Sequence, residues 1–153
     1  MKREELVADF FLSKEAMSPK KLQKLVYFAY AWTVALLNES ADDLHFRLFD
    51  AQIEAWIHGP VVPELYHKYK KYGWESIPKV EKFDNSCFEA DILDILEQVW
   101  DVYGGFTGNE LEMISHRDAP WKIARNGVPV CDPSRNPISD KDMFHFYNEQ
   151  AEQ

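Results

Sequence analysis

The sequence predicts a mainly α-helical fold: one compact domain of about six helices with a minor short-strand element. Three observations carry this. Apolar residues recur at helical spacing along most of the 153 residues. Ser, Thr, Pro, Asn and Gly stand where helices start and stop. Only residues 46–58 change to a shorter period. Ten Phe, seven Tyr and five Trp in a chain that is 46% hydrophobic supply the apolar area. A chain of this length can bury about two-thirds of its unfolded surface.

Leu6, Val7, Phe10 and Phe11 make residues 4–12 a short amphipathic helix. Ser18 then offers a cap and Pro19 the first position of a longer helix through Leu22, Leu25, Val26, Ala29, Trp32, Thr33 and Leu36. That spacing predicts one apolar face, with Asn38 as a left-handed stop. Phe46, Leu48, Ile53, Ala55 and Ile57 suggest short extended segments, broken at Asp50 and closed by a Gly59-Pro60 turn. Pro63 opens a helix carrying Leu65, Tyr66 and Tyr69 as far as Gly73.

Ile92, Leu93, Leu96, Val99, Trp100 and Tyr103 trace the next stripe, ended by Gly104-Gly105 at the left-handed position. Thr107-Gly108-Asn109-Glu110 fits a capping box before Leu111 and Ile114. Asp118 can cap a further short helix containing Trp121, Ile123 and Ala124, with Asn126-Gly127 behind it. Residues 126–138 hold three prolines and few apolar residues, and are expected to form a surface loop. Ser139 starts a last helix over 139–150 with Phe144 and Tyr147. No repeat or Gly/Ser linker divides the chain, so residues 1–153 are expected to form a single domain.

Twenty-six acidic against seventeen basic residues give a net charge of −9, which opposes binding to nucleic acid or to an anionic membrane. A neutral or basic partner is favoured. No apolar run reaches the roughly 18 residues of a membrane span, and the acidic start does not fit a secretory signal, so a cytoplasmic protein is expected. Cys87 and Cys131 are too few for a disulfide framework and read as reduced thiols.

The densest unusual segment sets Trp56 and His58 beside Gly59, Pro60, Val61 and Tyr66. Two prolines stiffen it, and the aromatics offer wide contact area with a polar tip, as an interface anchor requires. General burial favours the other reading, in which both aromatics are core and the turn merely fixes the angle of the next helix. The second unusual segment joins Ser115, His116, Pro120 and Trp121. His116 at a helix C-terminus would gain from the dipole when charged, or could donate a ring nitrogen to a carbonyl.

Catalytic signatures are missing. Ser115 beside His116 fits no nucleophile elbow, neither cysteine has a reactive context, and no phosphate-binding glycine loop occurs. Glu64-x-x-His67 and Asp142-x-x-His145 only echo a di-iron ligand pair. Convergence of His58, His67 and His116 cannot be read from sequence. Lys20 and Lys21, with Lys24 a turn later, are explained by a helix start, and Lys68, Lys70 and Lys71 by one solvated helix face, rather than by a nucleic-acid contact. Asp91, Asp94, Glu97 and Asp101 form an acidic ridge that a basic partner would relieve, although ordinary solubilising faces look the same.

Three blocks together resemble the Panacea or SocA-like domain: Lys21 to Tyr30, Glu54-Ala55-Trp56 with His58 to Tyr66, and Ser115-His116 with Pro120-Trp121. The resemblance spans about residues 5–125 and is weakest after 127. It implies a bacterial or prophage antitoxin that neutralises a cognate protein toxin by direct contact; a SocA-like member delivers its toxin to the ClpXP protease. On this reading the chain is not an enzyme and takes no cofactor or metal. Its partner-binding residues would be Trp56, His58, Gly59, Pro60, Val61, Tyr66, His116 and Trp121. Two alternatives stay open: a small metal- or histidine-dependent enzyme, and an acidic phage protein that blocks a host nucleic-acid enzyme.

Overall fold

A computed structural model describes residues 1–152; Gln153, the last residue of the predicted 1–153 domain, lies outside them. The fold is mainly helical, with a small two-stranded sheet. Helix α1 (Arg3–Leu12) packs on α2 (Pro19–Leu37), and α3 (Pro63–Tyr69) follows the hairpin of β1 (Glu54–Trp56) and β2 (Gly59–Val61). Helices α4 (Ala90–Tyr103), α5 (Gly108–Arg117), α6 (Ala119–Arg125) and α7 (Asp140–Ala151) complete the chain. Among the described residues seven α-helices thus stand where about six were expected. Among the described residues no helix is long and apolar enough to cross a membrane.

The organising element is α2, against which α1, α3, α4, α5, α7 and β2 all pack. The Ser18 hydroxyl accepts from the Lys21 amide and Pro19 takes the first turn, as the sequence predicts. The predicted single apolar face is corrected: every residue from Leu22 to Ala31 is buried. A helix apolar nearly all round belongs inside a fold, so its polar members, Gln23 and Lys24, need partners there.

Four further boundaries differ from expectation, each for a local reason. Asn38 is extended rather than left-handed; its amide donates to the carbonyls of Val34 and Phe46 and its oxygen accepts from the Phe46 amide, stapling the next loop to the helix end. Gly104 has right-handed φ −63°, and a β-carbon there would lie 2.6 Å from the Trp100 indole, so close approach explains the glycine. Asp118 makes no side-chain cap; its carboxylate instead accepts from the Tyr147 hydroxyl at 2.7 Å. The turn at Gly59-Pro60 is really strand β2, and the hairpin reverses at Ile57-His58. Pro60 faces Ala55, whose N–H points away and donates to Asn136 O, so the missing proline donor is not needed. The Thr107–Glu110 capping box, the Ser139 cap and the end of α6 at Asn126, which is left-handed, match expectation.

Residues 126–138 do more than cover surface. Besides the Asn136 contact, the Ile138 amide donates to Ile53 O at 2.8 Å, laying this segment along the free edge of β1. Arg125, only 3% exposed, holds it there by donating to the carbonyls of Pro129 and Asp132. The α2–α7 seam is closed by a buried hydroxyl chain in which Tyr27 and Tyr147 lie 3.0 Å apart and Tyr147 donates to Asp118. Burial keeps the Asp118 carboxyl above its ordinary range.

Candidate partner-binding site

The hairpin, the first turns of α2 and the length of α3 enclose a groove of about 210 Å³. Trp56, Ile57, Val61, Leu65, Tyr66 and Tyr69 give it apolar walls. The Trp56 and Tyr66 ring centroids are 4.9 Å apart at an interplanar angle of 60°, with Tyr66 41% exposed. The Trp56 indole donates to Glu54 at 2.8 Å, which fixes its tilt. A two-residue hairpin and two prolines make this platform stiff before any partner arrives.

Beneath the platform lies a side chain that sequence reasoning passed over. Lys24, read only as part of a helix start, is 2% exposed and runs under the hairpin, where its ammonium donates to Pro60 O at 3.1 Å. Burial lowers its pKa from 10.5 to about 7, with the field of Glu112 opposing that shift. Gly59 is the reason the lysine fits. A β-carbon there would sit 2.6 Å from Lys24 Cε and 2.9 Å from Ser115 Oγ, and its φ of 110° is itself unfavourable for other residues. Gln23 works beside it, its side-chain amide exchanging two hydrogen bonds with the Val62 backbone at 2.9 and 3.1 Å. The available signal was the apolar surround of positions 23 and 24; a polar pair inside a fully buried helix marks a contact to be found.

Glu112 ties the groove rim together. Lys20 donates to one of its oxygens at 2.7 Å, and His58 Nδ1 lies 3.2 Å from the other. Burial pushes the Glu112 carboxyl upward, but these two partners outweigh it and hold the group below the ordinary range. Lys20 and His58 are therefore already paired. Among the described residues no carboxylate accepts a hydrogen bond from Lys24.

The second predicted segment packs behind the first. The His116 ring stacks on Trp121 at 3.9 Å and 16°, and the Arg125 guanidinium lies 4.9 Å from the other ring of that stack. Trp121 Nε1 donates to Trp56 O at 2.8 Å, joining α6 to the hairpin. His116 Nε2 is buried without a hydrogen-bond partner. Burial, with Lys24 and Arg125 nearby, pushes the imidazole below its ordinary pKa against the pull of Glu112, so the predicted gain from a charged histidine at the helix end is not realised.

The eight predicted residues thus fall into two layers. His58 and Tyr66 are exposed and Trp56 is half-buried, whereas Gly59, Pro60, Val61 and Trp121 are buried and His116 lies between the layers. Gly59, Pro60 and Trp121 could reach a partner only through what they position, whereas Val61 still forms part of the groove wall. Sequence reasoning missed Lys24, Glu112 and Arg125.

Ser115 lies close to the lysine under Gly59 but is fully buried, and its hydroxyl donates to Glu112 O at 2.8 Å. Among the described residues no three or more His, Cys, Asp or Glu side chains gather so as to hold a metal ion, and this includes His58, His67 and His116.

The geometry meets a family match at this point. The model of the SocA-like antitoxin family, the Panacea domain, matches residues 22–122. This chain belongs to that family. No match is found among curated proteins or among solved structures. The matched span runs from the start of the buried stretch of α2 to the middle of α6, and so contains Lys24, the hairpin, Glu112 and Trp121 of this Panacea domain. Arg125, the β1-edge segment and α7 brace it from outside the matched span.

Proposed function

We propose that this Panacea-domain protein is an antitoxin that neutralises a cognate protein toxin by direct contact, through the groove between the hairpin, α2 and α3. The tilted Trp56–Tyr66 pair carries this reading. It places two aromatic rings at the surface on a backbone too stiff to lose much entropy on binding, the kind of anchor around which interface energy concentrates. Contact alone suffices for the role, so the chain makes and breaks no covalent bond. The meeting belongs in the cytoplasm of a bacterial host, with a chromosomal or prophage gene pair as its source.

The test is co-expression with the product of the adjacent reading frame. Growth arrest by that product alone, relieved by this chain, supports the reading; failure of relief with both proteins folded and present rejects it. Tyr66→Ala should abolish relief while leaving thermal unfolding unchanged. Repeating the rescue in cells lacking ClpX separates two modes of neutralisation. Relief that disappears there, with a longer toxin lifetime, means the contact delivers the toxin to ClpXP; relief that persists means sequestration.

A further inference from the structure

The chain carries nine more acidic than basic charges, yet none of the described residues lining the groove is an acid. Its ionisable lining consists of Lys20, Lys24, His58 and two tyrosines. The carboxylates nearest the groove, Glu112 at the rim and Glu54 against the Trp56 indole, are already engaged, so the expectation of a basic partner, drawn from total charge, does not describe this face. Lys20 and His58 share Glu112. Lys24 has three N–H donors, one of which is used by Pro60 O. A buried ammonium to which no carboxylate is hydrogen-bonded is costly, since Glu112 reaches it only through its field, and a partner carboxylate in direct contact would offset that cost.

We propose that the groove receives a segment of the partner protein in which a carboxylate stands next to an aromatic or branched apolar side chain, the carboxylate pairing with Lys24 and the apolar group lying against Trp56 and Tyr66. This rests on the antitoxin reading for the partner's identity, but its chemistry comes from the groove. The carboxylate is either an Asp or Glu side chain or a free chain terminus. Both pair with the ammonium in the same way.

Selection of a random 12-residue peptide library on the immobilised full chain tests it, in one format with free carboxyl termini and one with termini blocked by the display linker. The expected winners carry an acid beside Phe, Tyr, Trp, Leu or Ile. Enrichment in the blocked format assigns a side-chain carboxylate, and enrichment confined to the free format assigns a terminal one. Synthetic winners should bind Lys24→Met at least about tenfold more weakly than the parent, and their Asn, Gln or amidated counterparts should lose as much against the parent.

Thermal unfolding of Lys24→Met guards against a folding artefact, and Tyr66→Ala should weaken the same peptides from the other side of the groove. Winners without an acid, no winners at all, or acidic winners that bind Lys24→Met within twofold of the parent overturn the proposal. If toxin relief survives Lys24→Met unchanged, the carboxylate pairing fails and the antitoxin reading stands. If acidic peptides are selected but no toxin is relieved, the antitoxin reading fails and the groove chemistry stands.

Discussion

Two grooves of similar size differ in what lies under them. The one between α2, α4 and the end of α7 holds about 230 Å³, walled by Trp32, Leu36, Ile95, Val99, Val102 and Tyr103. Its polar groups satisfy each other: the Trp32 indole donates to the Tyr103 hydroxyl at 3.0 Å, and the Tyr103 ring stacks on Phe28 at 4.0 Å. The hairpin groove is as apolar on its walls but has a buried lysine, a positive-φ glycine and a paired rim carboxylate behind them. Apolar concavity is what any helical fold leaves at its seams. A buried charge lowers stability, and the glycine is required only so that the lysine can pass beneath it; both stand behind the hairpin groove and not behind the other, which supports the hairpin groove as the partner site proposed above.

Substitutions on the two sides can break this contrast. The largest effect belongs to Gly59→Ala. Its methyl meets Lys24 Cε at 2.6 Å and requires a backbone angle that L-residues avoid, so urea unfolding should show a loss on the order of 3 kcal/mol. A loss below 1 kcal/mol would mean that the hairpin shifts freely and that the lysine is not held.

Lys24→Met should act in the opposite sense, raising stability by ~2 kcal/mol at pH 6 because an unpaired buried charge is replaced by a group of similar volume. The folded pKa of about 7 lies below the unfolded 10.5, so the folded parent binds fewer protons between those values and its stability rises with pH across that window. The penalty is fully present below pH 7. The advantage of Lys24→Met should therefore shrink from pH 7 to 10.5; Glu112 on α5, Lys20 on α2, and His58 and His116 are the other titratable groups whose fields reach this cluster. Unfolding curves at pH 6, 8 and 10 decide it, and an advantage that grows with pH would contradict a buried ammonium.

In the other groove, Tyr103→Phe removes the acceptor of the Trp32 indole and should cost about 1 kcal/mol with no effect on toxin relief. The smallest effects are expected for Leu36→Ala and Val102→Ser, both at exposed positions: within about 0.5 kcal/mol in stability and none on relief. Loss of relief from either would move the partner to that groove and remove the distinction.

The helices were legible because each carries its own punctuation. Ser18-Pro19, Thr107 with Glu110, Ser139 and Asn126 do locally what their side chains dictate, whatever the rest of the chain does. The hairpin was half legible. Its residues stood out, but the reversal lay two residues earlier than the Gly-Pro pair suggested, because Asn136, far along the chain, takes the Ala55 amide and frees Pro60 from donating. Lys24 was illegible by composition, since a lysine one turn into a helix is ordinarily solvated; only α3, α5 and the hairpin closing over it make it otherwise. Asp118 was misread for the same reason: the hydroxyl that claims it arrives from α7.

Both margins of the small sheet are occupied. The Asn136 and Ile138 backbone lies along β1, while the side chains of Gln23 and Lys24 engage the backbone of Pro60 and Val62 on the β2 side. No incoming peptide can extend this sheet as an added strand without first displacing part of the fold. A partner held in the proposed groove would be recognised by its side chains across a preformed relief. One scaffold can then be refitted to unrelated targets by changing a few protruding residues while its main chain stays as it is.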